Sequence, residues 1–565
     1  MIATRPPEVR RAAARWARPP RGRWLPHLLA VVLLAGLPFA TSPGDIISDS
    51  KFELAVNPAG FLHAAFTLWN TQQFGQIQDQ VAGYLFPMGP FFELLKLVNV
   101  DGWIGQRLWL GLVFVTAYAG VVRLARRLGI GSPVTRVLGG LVYALSPMAL
   151  GMAGELSAEL LPAALLPWIL LPLVESPSES GAPRWRVAAR SAFAVALCGG
   201  VNGSSTAAVV LPALIYLLMA RRRLLGWWLV AVAVATAWWT IPLLLQSRYG
   251  VSILPYTESA DTTTATTSIA NALRGTSDWL TYLNVNGQLW WPLAYQLATG
   301  FLPTLATGVL AALGLTGLLR RDMPLRKFWV VSVLAGVVII TAGHVSSFGN
   351  PLAQPVDALI NGPASAFRNL WKFDPMIRLP VALGLAHLIG GLTAGLGAAR
   401  RVRAVVTGAG MSLAVLLVPA FTTGLAADGA FAAIPAGWTS AANWLTAHAG
   451  RQAVLVVPGA TFGQYMWGST MDDVLQPLTD VDFAERDLSV IGSVGNERLL
   501  DAIDQRLAAG DGSSGLTQVL ARMGVRYVVV RNDLVRQNLD GAWPARVNDA
   551  LDESPGIKLA ATFGS

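Results

Sequence analysis

Long apolar stretches separated by short polar connections occupy the chain as far as residue 426. A helix needs roughly 20 apolar residues to cross a bilayer, and ten stretches approach that length. A shorter eleventh stretch covers 187–200. The pattern predicts an all-α polytopic membrane domain over 1–426 with about eleven transmembrane helices. The ten longer stretches lie near 26–42, 106–122, 134–153, 157–174, 206–220, 224–245, 297–319, 328–343, 379–398 and 403–426.

The hydrophobic pattern changes after residue 426. Short β-rich runs at 453–457 and 526–530 alternate with helical stretches near 497–509 and 516–523, which predicts a soluble α/β domain over 427–565. The apolar run 557–563 reads as part of a further strand. Because the sequence stops directly after that run, we expect the domain to be incomplete.

Composition supports the membrane assignment. Hydrophobic residues make up 53% of the chain and charged residues 13%, which is too little charge for the surface of a soluble protein of this size. The single cysteine, Cys198, lies in an apolar stretch and cannot form an intramolecular disulfide. We expect it to be a small core residue.

The net charge of +9 is almost wholly an arginine excess, since only five of the 42 basic residues are lysines. Basic clusters at the ends of apolar stretches are typical of cytoplasmic loops. All the basic clusters of this chain lie on the cytoplasmic side only if the stretch 187–220 forms two helices that are interrupted at 201–205. Membrane orientation thus accounts for the charge, and nucleic-acid binding is excluded. The clusters comprise Arg5 to Arg23, Arg123/Arg126/Arg127/Arg136, Arg184/Arg186, Arg221 to Arg223, Arg320/Arg321/Arg326/Lys327 and Arg400/Arg401/Arg403.

The same orientation assigns the larger polar segments to the extracytoplasmic face of the plasma membrane. These are the loops 43–105, 246–296 and 344–378, together with the domain 427–565. The sequence contains no phosphate-binding loop, no H-E-x-x-H helix and no paired C-x-x-C, which excludes ATP-driven transport and zinc hydrolysis. We therefore expect the chemistry on the outer face.

Acids, amides and aromatic residues stand in the first outer loop. Asp49 follows the first apolar stretch by only a few residues, where a carboxylate suggests chemistry on a substrate carried by the membrane. The segment 69–84 carries the amide and aromatic side chains typical of sugar sites. An amphipathic interfacial helix, with Phe66, Trp69, Phe74 and Ile77 on one face, explains this segment equally well.

Several motifs along the chain resemble those of one family. They are the runs 48–54, 83–92, 368–375 with 378–380, and 531–534. They resemble the AftD-type alpha-(1→3)-arabinofuranosyltransferases of actinobacterial cell-wall synthesis, in their amino-terminal part. The resemblance implies a GT-C glycosyltransferase that moves arabinofuranose from a polyprenyl-phosphate donor to the arabinan of arabinogalactan and lipoarabinomannan. It would form alpha-(1→3) branches with inversion at the anomeric carbon.

The resemblance also implies roles for individual residues. An inverting transfer needs a carboxylate base and positive charge at the departing phosphate. Asp49 matches the acidic residue of the first outer loop, and Glu258 is a second catalytic candidate that the sequence does not rank against it. The predicted substrate-binding residues are Lys51, Glu53, Trp69, Tyr84, Trp279, Arg368, Lys372 and Arg378. The last three are assigned to the phosphate, with interfacial anchoring as the alternative.

Two departures from the family pattern stand out. Glu53 occupies a position where aspartate is expected, and the long carboxy-terminal region with carbohydrate-binding modules is missing from this sequence, which leaves acceptor selection open. No metal site is predicted, since arginine and lysine can meet a lipid monophosphate alone. The need for a divalent cation and the identity of protein partners stay open.

Two other functions fit the same architecture. A GT-C transferase could use another polyprenyl-phosphate sugar, such as mannose. A lipid-linked sugar transporter would also have many spans and a broken helix near Asn202. However, we find no internal repeat, and the spans hold few ionisable residues beyond Glu155, Glu159 and His387. We expect Glu155 and Glu159 to edge an outer turn and His387 to be a packing residue.

Overall fold

The structure has two parts, a bundle of apolar helices and a carboxy-terminal α/β unit. It is a computed structural model that describes residues 24–49, 51–70, 72–78, 81–154, 157–175, 183–252, 254, 257–285, 287–393, 399–487, 490–535 and 542–564. Glu155 and the first 23 residues, with their basic cluster, lie outside the described residues.

The helices of the bundle and its outer loops run in the following order: α1 (Leu25–Gly36), α2 (Glu53–Val56), α3 (Pro58–Ala65), α4 (Met88–Leu97), α5 (Gly102–Arg127), α6 (Pro133–Ala144), α7 (Pro147–Met152), α8 (Ser157–Val174), α9 (Arg184–Ala196), α10 (Gly203–Ala220), α11 (Arg222–Tyr249), α12 (Ala260–Ala265), α13 (Ile269–Arg274), α14 (Pro292–Thr299), α15 (Phe301–Leu319), α16 (Arg326–Thr341), α17 (Ala353–Asn361), α18 (Pro375–Thr393) and α19 (Ala399–Thr422). Short 3-10 turns cover Leu37–Ala40, Val81–Leu85, Trp279–Tyr282, Ser365–Phe367 and Leu370–Phe373.

Seven helical segments among the described residues are long and apolar enough to cross a membrane. They are Gly102–Arg127, Ser157–Val174, Gly203–Ala220, Arg222–Tyr249, Phe301–Leu319, Leu370–Leu392 and Arg403–Thr422. The other four predicted stretches contain shorter helices, α1, α6 with α7, α9 and α16. The total of eleven crossings therefore stays a prediction.

The predicted interruption between 187 and 220 is present in the structure. Helix α9 ends at Ala196, and α10 begins at Gly203. The side chain of Asn202 caps α10 by accepting a hydrogen bond from the Ser205 amide, as a helix N-terminus requires. The interruption brings the polar Asn202 side chain to the end of a helix.

Close helix packing sets the position of α18, the most buried long helix of the bundle. A Cβ atom at Gly317 of α15 would lie only 1.9 Å from the carbonyl oxygen of Gly384 on α18. Small residues allow two helix backbones to approach this closely within a membrane protein. Helix α18 and the turn that precedes it carry two of the predicted phosphate-binding cations, Arg378 and Lys372, and Arg368 lies just before that turn.

The α/β unit contains α20 (Ala436–His448), α21 (Val494–Ala509), α22 (Ser514–Arg522) and α23 (Pro544–Asp552). Its central sheet has the parallel order β7 (Phe483–Glu485), β4 (Ala453–Val457) and β9 (Val525–Val530). Both predicted strands and both predicted helices are thus present. The strand predicted over 557–563 is wrong, because that described segment pairs with no strand. Instead, the ring of Phe563 lies 6.0 Å from that of Trp444 on α20.

Short two-stranded ladders complete the fold. They are β1 (Ile77–Gln78) with β8 (Val490–Ile491), β2 (Asn284–Val285) with β3 (Gln288–Leu289), and β5 (Gly463–Tyr465) with β6 (Gly468–Met471). The β1–β8 ladder joins the first outer loop to the α/β unit, and a bridge between Ile46 and Phe431 does the same. The amide of Val251, in the second outer loop, donates to Gly492.

The third outer loop joins the second. The side chain of Asn361 accepts a hydrogen bond from the amide of Ala260, at 3.0 Å. Together with the contacts above, this bond places all three predicted outer loops and the α/β unit at one end of the helix bundle.

Candidate active site

Asp49 is held by the first turn of helix α8. One carboxylate oxygen accepts the backbone N–H of Ser157 at 2.8 Å, and the other accepts the Ser157 hydroxyl at 2.5 Å. The Asp49 residue is only 2% exposed. A helix N-terminus carries unpaired amides and positive partial charge. The contact therefore stabilises a buried negative charge at a fixed position.

Helix α5 fixes the backbone that leads to Asp49. The side chain of Gln106 accepts the amide of Ile47 and donates to its carbonyl, at 3.0 and 2.9 Å. The fully buried guanidinium of Arg107 donates to the carbonyl oxygens of Thr41, Ser42 and Asp45. Two neighbouring residues of one helix thus hold most of this segment by its main chain.

Glu159, one helical turn into α8, forms an ion pair with a predicted phosphate ligand. The ammonium of Lys372 lies 2.9 Å from one Glu159 oxygen, and both side chains are largely buried. The other oxygen accepts from the Asn202 side chain at 2.6 Å. Helix α8 therefore links Asp49 to Lys372 through residues only two positions apart.

The side chains of Glu258 and Trp279 both hydrogen-bond to the side-chain amide of Asn369. Asn369 donates to the Glu258 carboxylate at 2.9 Å and accepts the indole N–H of Trp279 at 2.9 Å. The buried guanidinium of Arg368 donates to the Glu258 carbonyl oxygen and to the Thr257 hydroxyl. The second and third outer loops thus close on each other around Asn369.

Asp278 lies beside the same cluster. Burial raises its pKa to about 7, the charges of Glu159 and Glu258 add to that rise, and Lys372 opposes it. One of its oxygens accepts the Leu280 amide at 3.0 Å. A cavity of about 20 Å³ adjoins Asp278, which is large enough for a water molecule.

The predicted cations differ in their partners. Arg378 pairs with Asp374 at 2.9 Å and donates to the Ala272 carbonyl at 2.6 Å. Lys372 pairs with Glu159. Within the described part of the chain, Arg368 forms no ion pair and bonds only to neutral oxygens. Its positive charge is the least compensated of the three.

Lys51 and Glu53 lie at the joint with the α/β unit. The Lys51 ammonium contacts the Asp472 carboxylate at 2.5 Å. Burial opposes the charge on Lys51, but Asp472 and Glu53 outweigh it and raise the Lys51 pKa. Burial, followed by the charge of Asp472, raises the pKa of Glu53 to about 8. In this arrangement both residues contact protein groups, and the substrate contacts predicted for them stay predictions.

The segment 69–84 joins the two parts of the protein. Gln72 donates to the Thr479 carbonyl at 2.8 Å, and Gln73 donates to the Gln476 side chain at 2.8 Å. Gln76 donates to the Glu485 carbonyl at 3.2 Å. These contacts explain the amides as structural, because they bind the α/β unit.

The interfacial helix, which was the alternative for this segment, is not present in its described residues. They form turns and strand β1, and Phe74 packs against the core of the α/β unit. Trp69 is 41% exposed, with its ring 6.1 Å from that of Tyr249. Tyr84 is buried, with its ring 5.7 Å from that of Phe61. The roles predicted for Trp69 and Tyr84 stay predictions.

The motif 531–534 lies within the α/β unit. Arg531 is buried and donates to the Glu485 carboxylate and the Pro458 carbonyl. Asp533 accepts the indole N–H groups of Trp438 and Trp467, each at 2.8 Å. This motif stabilises the α/β unit itself.

Sequence reasoning missed several residues that complete the site. They are Ser157, Glu159, Asn202 and Asn369. The signal for Glu159 was an acid at the start of an otherwise apolar span, which by default indicates a functional position. Ser157 carries no such signal, because its contact with Asp49 joins residues 108 positions apart. Within the described residues, no group of three or more His, Cys, Asp or Glu side chains could hold a metal ion.

Comparison with known proteins places this site in a family context. Residues 32–565 match the family model described as alpha-(1→3)-arabinofuranosyltransferase, N-terminal GT-C domain. An alpha-(1→3)-arabinofuranosyltransferase of Mycolicibacterium smegmatis is 40% identical over 548 residues, which cover 94% of this chain and 38% of the relative. The Mycobacterium tuberculosis protein of the same name is 39% identical over 571 residues, which cover 96% and 40%.

A solved structure has the same fold. The cryo-EM structure of the arabinofuranosyltransferase AftD from Mycobacteria superposes with a TM-score of 0.76 at 35% identity, and the match covers 96% of this chain and 37% of that one. The chain spans about two fifths of the length of the curated relatives. The predicted resemblance and the GT-C fold are confirmed. This multi-pass membrane protein belongs to the alpha-(1→3)-arabinofuranosyltransferase family, whose amino-terminal GT-C domain it matches.

Proposed function

We propose that this chain transfers arabinofuranose from a polyprenyl-phosphate donor to an arabinan acceptor of arabinogalactan or lipoarabinomannan, forming alpha-(1→3) branches with inversion. The observation that carries the proposal is the fixed, buried carboxylate of Asp49 in a member of this family, next to the Glu159–Lys372 pair. The reaction takes place on the extracytoplasmic face of the plasma membrane, where the three outer loops meet.

The chemical step needs one base. An acceptor hydroxyl attacks the anomeric carbon of the donor while the bond from that carbon to the phosphate oxygen breaks. The bonding electrons leave with the polyprenyl phosphate, and Asp49 takes the hydroxyl proton. Both Asp49 oxygens already accept hydrogen bonds from Ser157, so the carboxylate is oriented before substrate arrives. Such preorganisation lowers the barrier.

The leaving phosphate needs positive charge. Arg368 fits this role best among the three predicted cations, because its described partners are neutral oxygens. A buried guanidinium without a carboxylate partner favours binding of an anion, and its planar fork matches phosphate oxygens. Lys372 can assist by exchanging Glu159 for the phosphate, whereas Arg378 already has Asp374 and serves chiefly to hold α18.

Glu258 remains the rival base. Its carboxylate accepts from Asn369 and lies near Asp278, on the Arg368 side of the site. That position suits a residue that orients the donor sugar next to its phosphate. We therefore assign Asp49 to the proton transfer and Glu258 to donor binding.

The test is transfer of labelled arabinofuranose from its polyprenyl phosphate to a synthetic arabinan by the purified chain. Asp49→Asn should lower the rate at least about 100-fold, since general bases contribute at that scale. Glu258→Gln should mainly raise the KM for the donor. The control is Asp261→Asn, an exposed acid of the same outer loop, which should leave transfer unchanged.

Three outcomes would contradict the proposal. Transfer that survives Asp49→Asn would remove the proposed base. Transfer of mannose from polyprenyl-phosphate mannose at an equal rate would contradict the proposed specificity for arabinofuranose. Movement of the intact donor across vesicle membranes, without transfer by a folded wild-type chain, would favour the transporter function. Parallel assays with a chelator decide whether a divalent cation takes part.

A further inference from the structure

The structure contains a second polar and aromatic cavity, apart from the carboxylate cluster. It is a cleft of about 380 Å³ between the β2–β3 ladder of the second outer loop and the β5–β6 ladder of the α/β unit. Cavities that bind small molecules usually measure ~300–1,000 Å³. The cleft is thus large enough for sugar residues, whereas the cavity beside Asp278 holds water at most.

Each side of the cleft presents a fixed indole. Trp467, on the β5–β6 side, stacks on Tyr465 at 5.0 Å with an interplanar angle of 19°, and its N–H donates to Asp533. Trp290, on the β2–β3 side, lies edge to face with Trp291 at 5.8 Å. Trp291 is itself anchored to the Leu425 carbonyl. Rigid aromatic faces provide contact area for the C–H faces of sugar rings at little entropic cost.

The polar groups of the cleft suit hydroxyl groups. Gln288 and Gln464 bring amide side chains, and Asp428 brings an exposed carboxylate. Amides both donate and accept hydrogen bonds, and a carboxylate accepts them. The described residues that line the cleft include no lysine, arginine or histidine. A phosphate ligand would therefore meet no positive charge here, so the cleft fits a neutral polyol better than the lipid-linked donor.

The cleft adjoins the loop that carries the proposed base. Ser48 lines it, and Asp49 is the next residue, with consecutive Cα atoms ~3.8 Å apart. The Ser48 hydroxyl donates to the Ser469 carbonyl at 2.8 Å, and the Lys51–Asp472 pair joins the same two segments. These contacts fix the floor of the cleft against the loop that carries Asp49.

We propose that this cleft is the acceptor site, and that it binds a short neutral chain of arabinofuranose residues with the accepting hydroxyl directed toward Asp49. The sugar identity rests on the proposed function. The neutral polyol character rests on the cleft itself.

The test is calorimetric titration of the full chain in lipid nanodiscs with a synthetic arabinofuranosyl hexasaccharide and no donor. Gln288→Ala and Asp428→Ala remove exposed polar groups of the cleft, and each should weaken binding about five- to tenfold, as the loss of one hydrogen bond does. The matched controls are Gln518→Ala and Asp511→Ala, exposed residues of the α/β unit outside the cleft, which should bind as wild type does. A mannose hexasaccharide should bind more weakly than the arabinan.

The outcomes separate this inference from the proposed function. Wild-type affinity in both cleft variants, or no binding by a chain that transfers arabinose, would overturn the acceptor site. Equal binding of the mannose hexasaccharide would overturn its arabinose specificity. Arabinan binding that the cleft variants weaken, in a chain without transfer, would support the cleft and contradict only the proposed function.

Discussion

The acidic residues of the candidate site differ in their surroundings, and this difference underlies the roles proposed for them. Asp49 receives two hydrogen bonds at a helix N-terminus, an environment that favours its ionised form. Burial raises the pKa of Asp278 to about 7, and neighbouring carboxylates add to the effect. Environments that favour opposite protonation states are a common basis for acid and base roles. In its protonated form Asp278 is thus suited to donate a hydrogen bond to a substrate oxygen, whereas Asp49 is the proposed acceptor of the proton.

The Asp278→Asn variant should lose the pH dependence that Asp278 gives to the transfer rate near neutral pH. The Asp278 pKa is about 7, and only the protonated form can donate. The wild-type rate should therefore fall as pH rises through that value. The asparagine cannot titrate, so its profile should be flat through neutral pH, with a maximal rate about tenfold lower. Transfer rates across neutral pH measure this. An unchanged profile in the variant would contradict the role, and Asp261→Asn is again the control.

Glu53 should make stability depend on pH. Burial and Asp472 raise its folded pKa to about 8, against about 4.3 when unfolded. Between these values the folded state binds the proton more tightly, so the stabilisation is complete below the unfolded pKa. It is lost as pH rises through about 8.

Glu53→Gln keeps an uncharged side chain at every pH. Its melting temperature should therefore fall less than that of wild type between about pH 5 and about pH 9. The exposed Glu553→Gln serves as the control and should follow the wild-type curve. Parallel curves for Glu53→Gln and wild type would show that Glu53 is ionised in the folded protein.

At the scale of secondary-structure elements, helix packing sets the positions of Lys372 and Arg378. Lys372 and Arg378 lie on the turn before α18 and on its first part, and α18 packs on α15 through Gly317 and Gly384. Lateral displacement of α18 would therefore move both cations relative to Glu159, while the Asp374–Arg378 pair, four residues apart on one segment, would move as a unit. The backbone contact between the two glycines is consequently a condition for the geometry of the site.

Gly317→Ala should destabilise the protein and lower transfer together. The new Cβ would overlap the Gly384 carbonyl, and overpacking of this kind costs about 1–3 kcal/mol. Gly308→Ala on the same helix is the matched control, because its Cβ meets nothing within 4 Å. Thermal unfolding in detergent and the transfer rate measure the two effects. Equal stability of the two variants would contradict the close contact.

At the scale of the whole molecule, the α/β unit holds the loop that carries the proposed base. It pairs with the first outer loop through β1–β8, Ser48–Ser469 and Lys51–Asp472, and it forms one side of the proposed acceptor cleft. The loop that carries Asp49 is thus held by α5 and α8 on one side and by the α/β unit on the other.

Lys51→Met should loosen this joint strongly. Removal of one partner from a buried pair leaves an uncompensated charge and costs about 3–5 kcal/mol, whereas replacing both partners by apolar residues costs far less. The double variant Lys51→Met with Asp472→Leu should therefore be more stable than Lys51→Met alone. Thermal unfolding of the four proteins of the cycle measures the coupling, and additive effects would contradict it.

The exposed pair Arg320–Asp322 is the control for that cycle. Its removal should cost at most about 1 kcal/mol, because solvent screens surface charges. The same measurement on Arg320→Met and Asp322→Leu provides the comparison.

The sequence by itself determined the local and the repetitive features. The apolar pattern located the long helices and the strands 453–457 and 526–530, since burial in lipid or in a parallel sheet demands continuous apolar residues. Long motifs determined the family, and position relative to the first apolar stretch singled out Asp49. These features depend on neighbours along the chain.

Only the tertiary structure decided which groups meet. Ser157 contacts Asp49 across 108 positions, Asn369 contacts Glu258 across 111, and Asp472 contacts Lys51 across 421. These partners place Lys51, a predicted substrate ligand, at the joint with the α/β unit and identify Arg368 as the least compensated cation. The physical reason is that side-chain charge and hydrogen bonding act through space over a few ångströms. Composition and spacing therefore fix the kind of chemistry, and the packed chain fixes the partners that carry it out.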